Sequence, residues 1–134
     1  TKTFQALRIF VNKEITELMN GIINATKILK PGGKIIIISF HSIEDKIVKY
    51  FFSHFSKNKS RPSRYLPENK ILSKTLFNEY KNNVLRPSKN EIDKNNRSRS
   101  AKLRFAIRSD DKFEHPDDLF KKFKKYLDLE ALNV

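Results

Sequence analysis

Leu29-Lys30-Pro31-Gly32-Gly33-Lys34-Ile35-Ile36-Ile37-Ile38-Ser39-Phe40-His41-Ser42-Ile43-Glu44-Asp45 is the stretch on which the fold turns. Pro31 cannot continue a helix, and glycine supplies the positive φ by which a helix reverses into a strand. The isoleucine run has no polar alternation, so it reads as a short strand buried on both faces, the usual state of a parallel sheet. Ser42 with Asp45 three residues on approximates a capping box. A helix therefore starts there and runs to Phe55, with Ile43, Ile47, Tyr50 or Phe51, and His54 or Phe55 on its apolar side. Upstream, Leu7, Val11, Ile15, Leu18, Ile22, Ala25 and Leu29 recur at steps of three or four. That is the stripe of one amphipathic helix from Phe4 to Leu29, with Thr3 as its N-cap. Helix, Gly-Gly turn, buried strand and helix make a piece of an α/β layer fold.

Downstream the texture changes. Residues 56–82 are dominated by Ser, Lys, Asn and Arg with Pro62 and Pro67, and read as a basic surface loop with one helical turn near Leu76 to Tyr80. Asn83 to Arg86 has the makings of a short strand, and Pro87-Ser88 opens a short helix to about Asp93. Ala101, Leu103, Phe105 and Ile107 alternate with Lys102, Arg104 and Ala106, which predicts a strand. Residues 110–134 form a tail in which Pro116-Asp117-Asp118 leads into Leu119, Phe120, Phe123, Tyr126 and Leu127, a final amphipathic helix. There are no internal repeats.

Composition narrows the function classes. The 134 residues suffice for one small domain or part of a larger one. Thr1 in place of Met leaves open a start further upstream, or removal of a leading segment. No apolar run approaches the roughly 20 residues that cross a bilayer, so no membrane role is expected. The N-terminus lacks the charged-then-apolar layout of an export signal, and a cytoplasmic location is expected. With no cysteine there is no disulfide, thiolate metal site or thiol nucleophile, and no metal site is expected. The net charge of +13 favours a polyanionic partner, with RNA, DNA and acidic membrane as candidates, against lysines that only keep the surface solvated.

Ser39-Phe40-His41-Ser42 lies just past the C-terminal end of the isoleucine strand, where open α/β sheets place ligands. His41 could orient a nucleotide, or be held by local backbone bonds. Ser39 or Ser42 could donate to a phosphate or base edge, although capping by Ser42 and Asp45 is the simpler reading. Glu44 and Asp45 also suit a helix first turn. In Asn96-Arg97-Ser98-Arg99-Ser100-Ala101-Lys102-Leu103-Arg104, guanidinium forks and hydroxyls match phosphate oxygens, Arg97 and Arg99 foremost; a charged lead-in to a strand is the alternative. Gln5, Arg8 and Asn12 share one helix face, which reads first as solvated surface.

Taken in order, several stretches resemble one family, the small-subunit ribosomal RNA methyltransferases known as RsmH or MraW. They are Thr3-Phe4-Gln5-Ala6-Leu7-Arg8-Ile9 with Val11-Asn12, Leu29 to Gly33, Ile38 to Ser42 with Glu44-Asp45, and Ile47-Val48-Lys49. Pro87-Ser88 with Glu91-Ile92, and Arg97 to Arg104, complete the set. The resemblance implies use of S-adenosylmethionine to methylate the exocyclic amine of a cytosine in 16S-type ribosomal RNA near the decoding centre. It implies a Rossmann-like class I methyltransferase fold. Residues 1–109 would be the C-terminal portion of the catalytic domain, supplying strands five to seven with flanking helices, and the cofactor-binding half would be absent.

The family's glycine-rich cofactor loop, ribose-binding acid and proline-containing active-site loop all fall upstream of these matches, so no cofactor ligand carries over. Ser39, Phe40, His41 and Ser42 carry over as substrate-edge residues, and Arg8, Arg97, Arg99, Lys102 and Arg104 as RNA contacts. The implied partners are 16S rRNA in the small ribosomal subunit and a separate N-terminal half, without which the chain is expected to be inactive. A non-catalytic basic RNA-binding module and a degraded remnant are the competing readings.

Overall fold

The computed structural model describes residues 2–57 and 75–132. Helix α1 (Lys2–Asn12) and helix α2 (Glu14–Ile28) precede strand β1 (Lys34–Ser39) and helix α3 (Ser42–His54). After Leu76 to Tyr80 come helix α4 (Lys89–Lys94), a 3-10 helix (Asn96–Ser100) and strand β2 (Lys102–Ile107). Helices α5 (Asp117–Lys122) and α6 (Lys124–Ala131) close the chain.

The single helix expected over Phe4 to Leu29 is two helices. Lys13 takes a left-handed conformation, φ 51° and ψ 41°, which no continuous α-helix contains. The break turns α1 off the core, so that Ile9 is its one buried residue while Leu7 and Val11 are exposed. Thr3 lies inside α1 rather than capping it. In α2 the stripe is inward, with Ile15, Met19, Ile22 and Ile23 buried.

The turn into β1 behaves as its glycines require. Gly32 sits at φ 82°, and a Cβ on Gly33 would lie 2.7 Å from the Leu29 side chain. Gly32 N–H donates to the Arg108 carbonyl, and Arg108 N–H to that of Gly33, tying the turn to the end of β2.

β1 was expected to be buried on both faces in a parallel arrangement. It pairs antiparallel with β2, Lys34 opposite Ile107 through Ser39 opposite Lys102. Ile35 and Ser39 point inward, whereas Ile36 is 57% and Ile38 54% exposed. Helix α3 packs against both strands, and among the described residues no element covers the face that carries Ile36 and Ile38. In place of a third strand there are single bridges, Leu85 with Leu103 and Phe77 with Arg108.

In β2 the inward face is the one that carries the arginines. Arg104 and Ala106, followed by Arg108, point into the protein, and Phe105 points out. Their guanidinium groups find partners there: Arg104 reaches Asp45, Tyr80 and Asn82, and Arg108 Nη1 donates to the Leu76 and Ser109 carbonyls, while Arg108 Nε has no hydrogen-bond partner among the described residues. A buried arginine is tolerated when its donors find such partners.

The 56–82 stretch is only partly surface. Residues 58–74 lie outside the described residues. Leu76, Phe77 and Tyr80, expected on a helical turn, are core instead. Phe77 exchanges backbone bonds with Phe55 and Lys57 and meets Phe51 and Phe52 edge-to-face at 5.2 Å.

The tail is two helices broken at Phe123, and it docks. Leu119 and Phe123 are buried in the same core as α2 and α3. The Glu130 carboxylate, 4% exposed, accepts the Ile15 and Thr16 amides and the Thr16 hydroxyl, so it caps α2 from 114 residues away. That cap suits the left-handed Lys13, whose own side chain makes no capping bond.

Candidate functional site

Helix α3 is capped one residue earlier than the Ser42–Asp45 pattern suggested. His41 is the N-cap, and its Nδ1 accepts the Glu44 amide at 3.3 Å. Glu44 folds back, its Oε2 accepting the Phe40 amide at 3.0 Å, a reciprocal arrangement like a capping box. Asp45, freed from capping, is the buried partner of Arg104.

This geometry gathers a charged cluster at the C-terminal end of β1. The break at Lys13 brings Glu14 beside Arg8, whose Nε donates to Glu14 Oε1 at 2.8 Å and Nη2 to Oε2 at 3.3 Å. His41 Nε2 stands 3.3 Å from Glu44 Oε1 and 3.7 Å from Glu14 Oε2. The His41 side chain is 5% exposed, and its Nε2 has no aligned hydrogen-bond partner among the described residues. The Glu14 and Glu44 side chains are 22% exposed, so they line the mouth with the imidazole behind them.

The tautomer follows from the cap. Nδ1 accepts a backbone N–H, so the neutral ring carries its proton on Nε2, aimed between two carboxylates. Glu14, His41 and Glu44 have ligand atoms within 4.8 Å of one another and could hold a cation. A metal would need Nε2 deprotonated, and with it loss of the Nδ1 bond that caps α3. The cluster is therefore better suited to hydrogen bonding: carboxylates that accept, one imidazole N–H that donates, and a guanidinium that neutralises.

The expected site residues divide. His41 and Arg8 belong to the cluster, and Phe40 is exposed beside it with its amide held by Glu44. Ser39 is buried at the end of β1, opposite Lys102, and Ser42 is exposed on the first turn of α3. Arg97 and Arg99 are exposed on the 3-10 helix. Arg104, expected to touch RNA, is buried and occupied by Asp45, and Lys102 leans on the same carboxylate at 3.6 Å. From the sequence Glu44 has only a helix first-turn reading and Glu14 no role; the signal for Glu44 is its place in a family stretch, and Glu14 lies two residues beyond another.

The chain has three glycines: Gly21 lies within α2, and Gly32 and Gly33 precede a strand, so none of them lies in a loop leading from a strand into a helix.

Comparison with known proteins returns one answer. A family model described as the MraW methylase family matches residues 1–109. The chain is 50% identical over 110 residues to the Ribosomal RNA small subunit methyltransferase H of Bartonella quintana (strain Toulouse), a match covering 82% of this chain and 32% of the relative. The like-named protein of Bartonella grahamii (strain as4aup) is 49% identical over the same shares. That of Ehrlichia chaffeensis (strain ATCC CRL-10679 / Arkansas) is 47% identical over 108 residues, 81% of this chain and 33% of the relative. The chain thus spans about a third of the length of the curated relatives it matches.

Proposed function

We propose that this chain, which belongs to the MraW methylase family, is the C-terminal portion of an S-adenosylmethionine-dependent enzyme that methylates N4 of a cytosine in 16S-type ribosomal RNA. The carrying observation is the meeting of Arg8 and Glu14 with His41 and Glu44 at the end of β1, from two stretches that the sequence keeps well apart.

An exocyclic cytosine amine is a poor nucleophile because its lone pair is delocalised into the ring. Carboxylates that accept its N–H bonds localise that pair and can receive the proton it sheds. In this reading Glu14 and Glu44 do this, and the His41 N–H behind them orients the two carboxylates. In this reading the exposed Arg97 and Arg99 contact the phosphate backbone, and Arg8 holds Glu14 and lends its remaining donor to the same end. Holding the base in line with the methyl donor is then the main contribution of the protein.

The cofactor is assigned to the part of the family fold outside this chain. The Ile36, Ile38 and Phe105 face is the surface on which that part would complete the sheet. A cytoplasmic setting on the small ribosomal subunit follows from the same reading.

The test is a chimera carrying this chain behind the remainder of the Bartonella quintana relative, assayed for transfer of labelled methyl to small subunits. The chimera is expected to turn over, and the isolated chain to show neither turnover nor calorimetric S-adenosylmethionine binding. Glu14→Gln, Glu44→Gln and His41→Ala should each lower turnover of the chimera by about a hundredfold. Full activity in all three, or tight cofactor binding by the isolated chain, would overturn the assignment.

A further inference from the structure

The docked tail builds a second basic surface. Lys122 at the end of α5 and Lys125 in the first turn of α6 face Lys46 and Lys49 of α3 across a cleft of 620 Å³, with Tyr50 and Ser53 on the α3 wall. All four lysines are exposed, and none has a carboxylate partner among the described residues. Neighbouring Lys124 is different, being paired with Asp128 at 2.6 Å. The cleft is held in shape: Phe123 is buried at its base and meets the Tyr50 ring edge-on at 5.5 Å, while Lys122 Nζ lies 5.7 Å from the face of that ring. At the rim Asp118 is engaged by His54 at 3.2 Å. The tail lies beyond the residues that the family model matches, so half of this cleft is not part of the common family core.

We infer that this cleft is a docking groove for the phosphate backbone of a single RNA strand, additional to the cluster at the end of β1. Like charges that converge without counter-charges repel one another, and a polyanion threaded between them relieves that repulsion. A concave channel between two helical walls admits a strand, whereas a membrane surface of acidic headgroups is broad and would meet only its rims. The hydroxyls of Tyr50 and Ser53 add donors of the kind that position phosphates without reading bases. The inference rests on the RNA reading above.

Its test is fluorescence anisotropy with the full chain and a labelled single-stranded RNA across a salt series. Each lysine that neutralises a phosphate on a single strand contributes roughly 0.7 to the slope of log affinity against log salt. Lys122→Ala/Lys125→Ala and Lys46→Ala/Lys49→Ala should each lower that slope by about one or more and weaken binding about tenfold at low salt. Lys27→Ala/Lys30→Ala, equal in charge but distant on α2 and the turn, should do neither. Equal losses in all three pairs would overturn the groove while leaving RNA binding intact. No binding by the wild-type chain would remove the RNA reading and the groove with it. Vesicles of acidic phospholipid that bind the wild-type chain more tightly than RNA, and lose it in the groove variants, would reassign the cleft to a membrane surface.

Discussion

Asp45 on α3 accepts both Nε and Nη2 of Arg104 on β2, at 2.7 and 3.1 Å, with both side chains nearly out of solvent. Tyr80 and Asn82 take Arg104 Nη1, so one guanidinium clamps the helix, the strand and the segment around Tyr80. Breaking such a pair leaves a buried charge without its partner, which costs about 3–5 kcal/mol. Arg104→Met and Asp45→Leu are each expected to lower the urea midpoint sharply. The double variant should recover part of the loss, which a double-mutant cycle would read out.

The same pair sets a pH dependence. Burial pushes the Asp45 carboxyl up, but the bonds and charge of Arg104, with help from Lys102, outweigh it and hold the group below its ordinary value. A carboxyl lower in the folded than in the unfolded state contributes stability that is complete above the unfolded value, about 3.9, and lost as pH falls through the folded one. Unfolding free energy should therefore drop below about pH 4 in the wild type. In Asp45→Asn that component of the slope should be missing, and an unchanged slope would contradict the assignment.

Glu130 joins the tail to the start of α2 through three accepted hydrogen bonds. Glu130→Ala leaves two amides at the head of α2 without that acceptor and should cost about 1–3 kcal/mol. Limited proteolysis should then cut between Phe113 and Asp118 much faster than in the wild type. Equal protection in both would show that Leu119 and Phe123 suffice to hold the tail.

Lys13 occupies a left-handed backbone position that disfavours a side chain. Lys13→Gly should raise stability by about 0.5–1 kcal/mol in thermal unfolding, the relief of strain outweighing the added freedom of the unfolded chain. Lys13→Val should lower it, because a β-branched residue resists positive φ most strongly.

Ile36 and Ile38 are the exposed apolar pair of β1. Ile36→Thr/Ile38→Thr should change unfolding free energy by less than about 0.5 kcal/mol per site, since neither residue is core. The same change should reduce self-association of the chain in sedimentation and lower turnover of the chimera. Turnover at the unsubstituted level would remove this face as the joint.

Much of the local structure was legible beforehand. The Pro-Gly-Gly turn, the isoleucine strand, the helix after it, the short helix opened by Pro87-Ser88 and the 102–107 strand all stand where spacing and turn chemistry put them. Half of the charged cluster was legible too, as Arg8 and His41. Glu44 was not, because an acidic residue in a helix first turn has a sufficient local explanation in the helix dipole, and Glu14 was not, because a single helix over Phe4 to Leu29 puts it mid-helix on a solvated face.

What the sequence by itself determined is what acts within a few residues: periodicity, the φ demanded of Gly32, and the short helix opened by Pro87-Ser88. The motif stretches also determined the family, since they need no folding to be read. Only the tertiary structure decided which face of β2 turns inward, because the acceptor that makes a buried Arg104 tolerable lies 59 residues away on α3. It likewise decided the cap of α2 by Glu130 and the meeting of Glu14 with His41. Charge partners far apart in the chain leave no periodic trace, and their free energy appears only when the fold removes both from water.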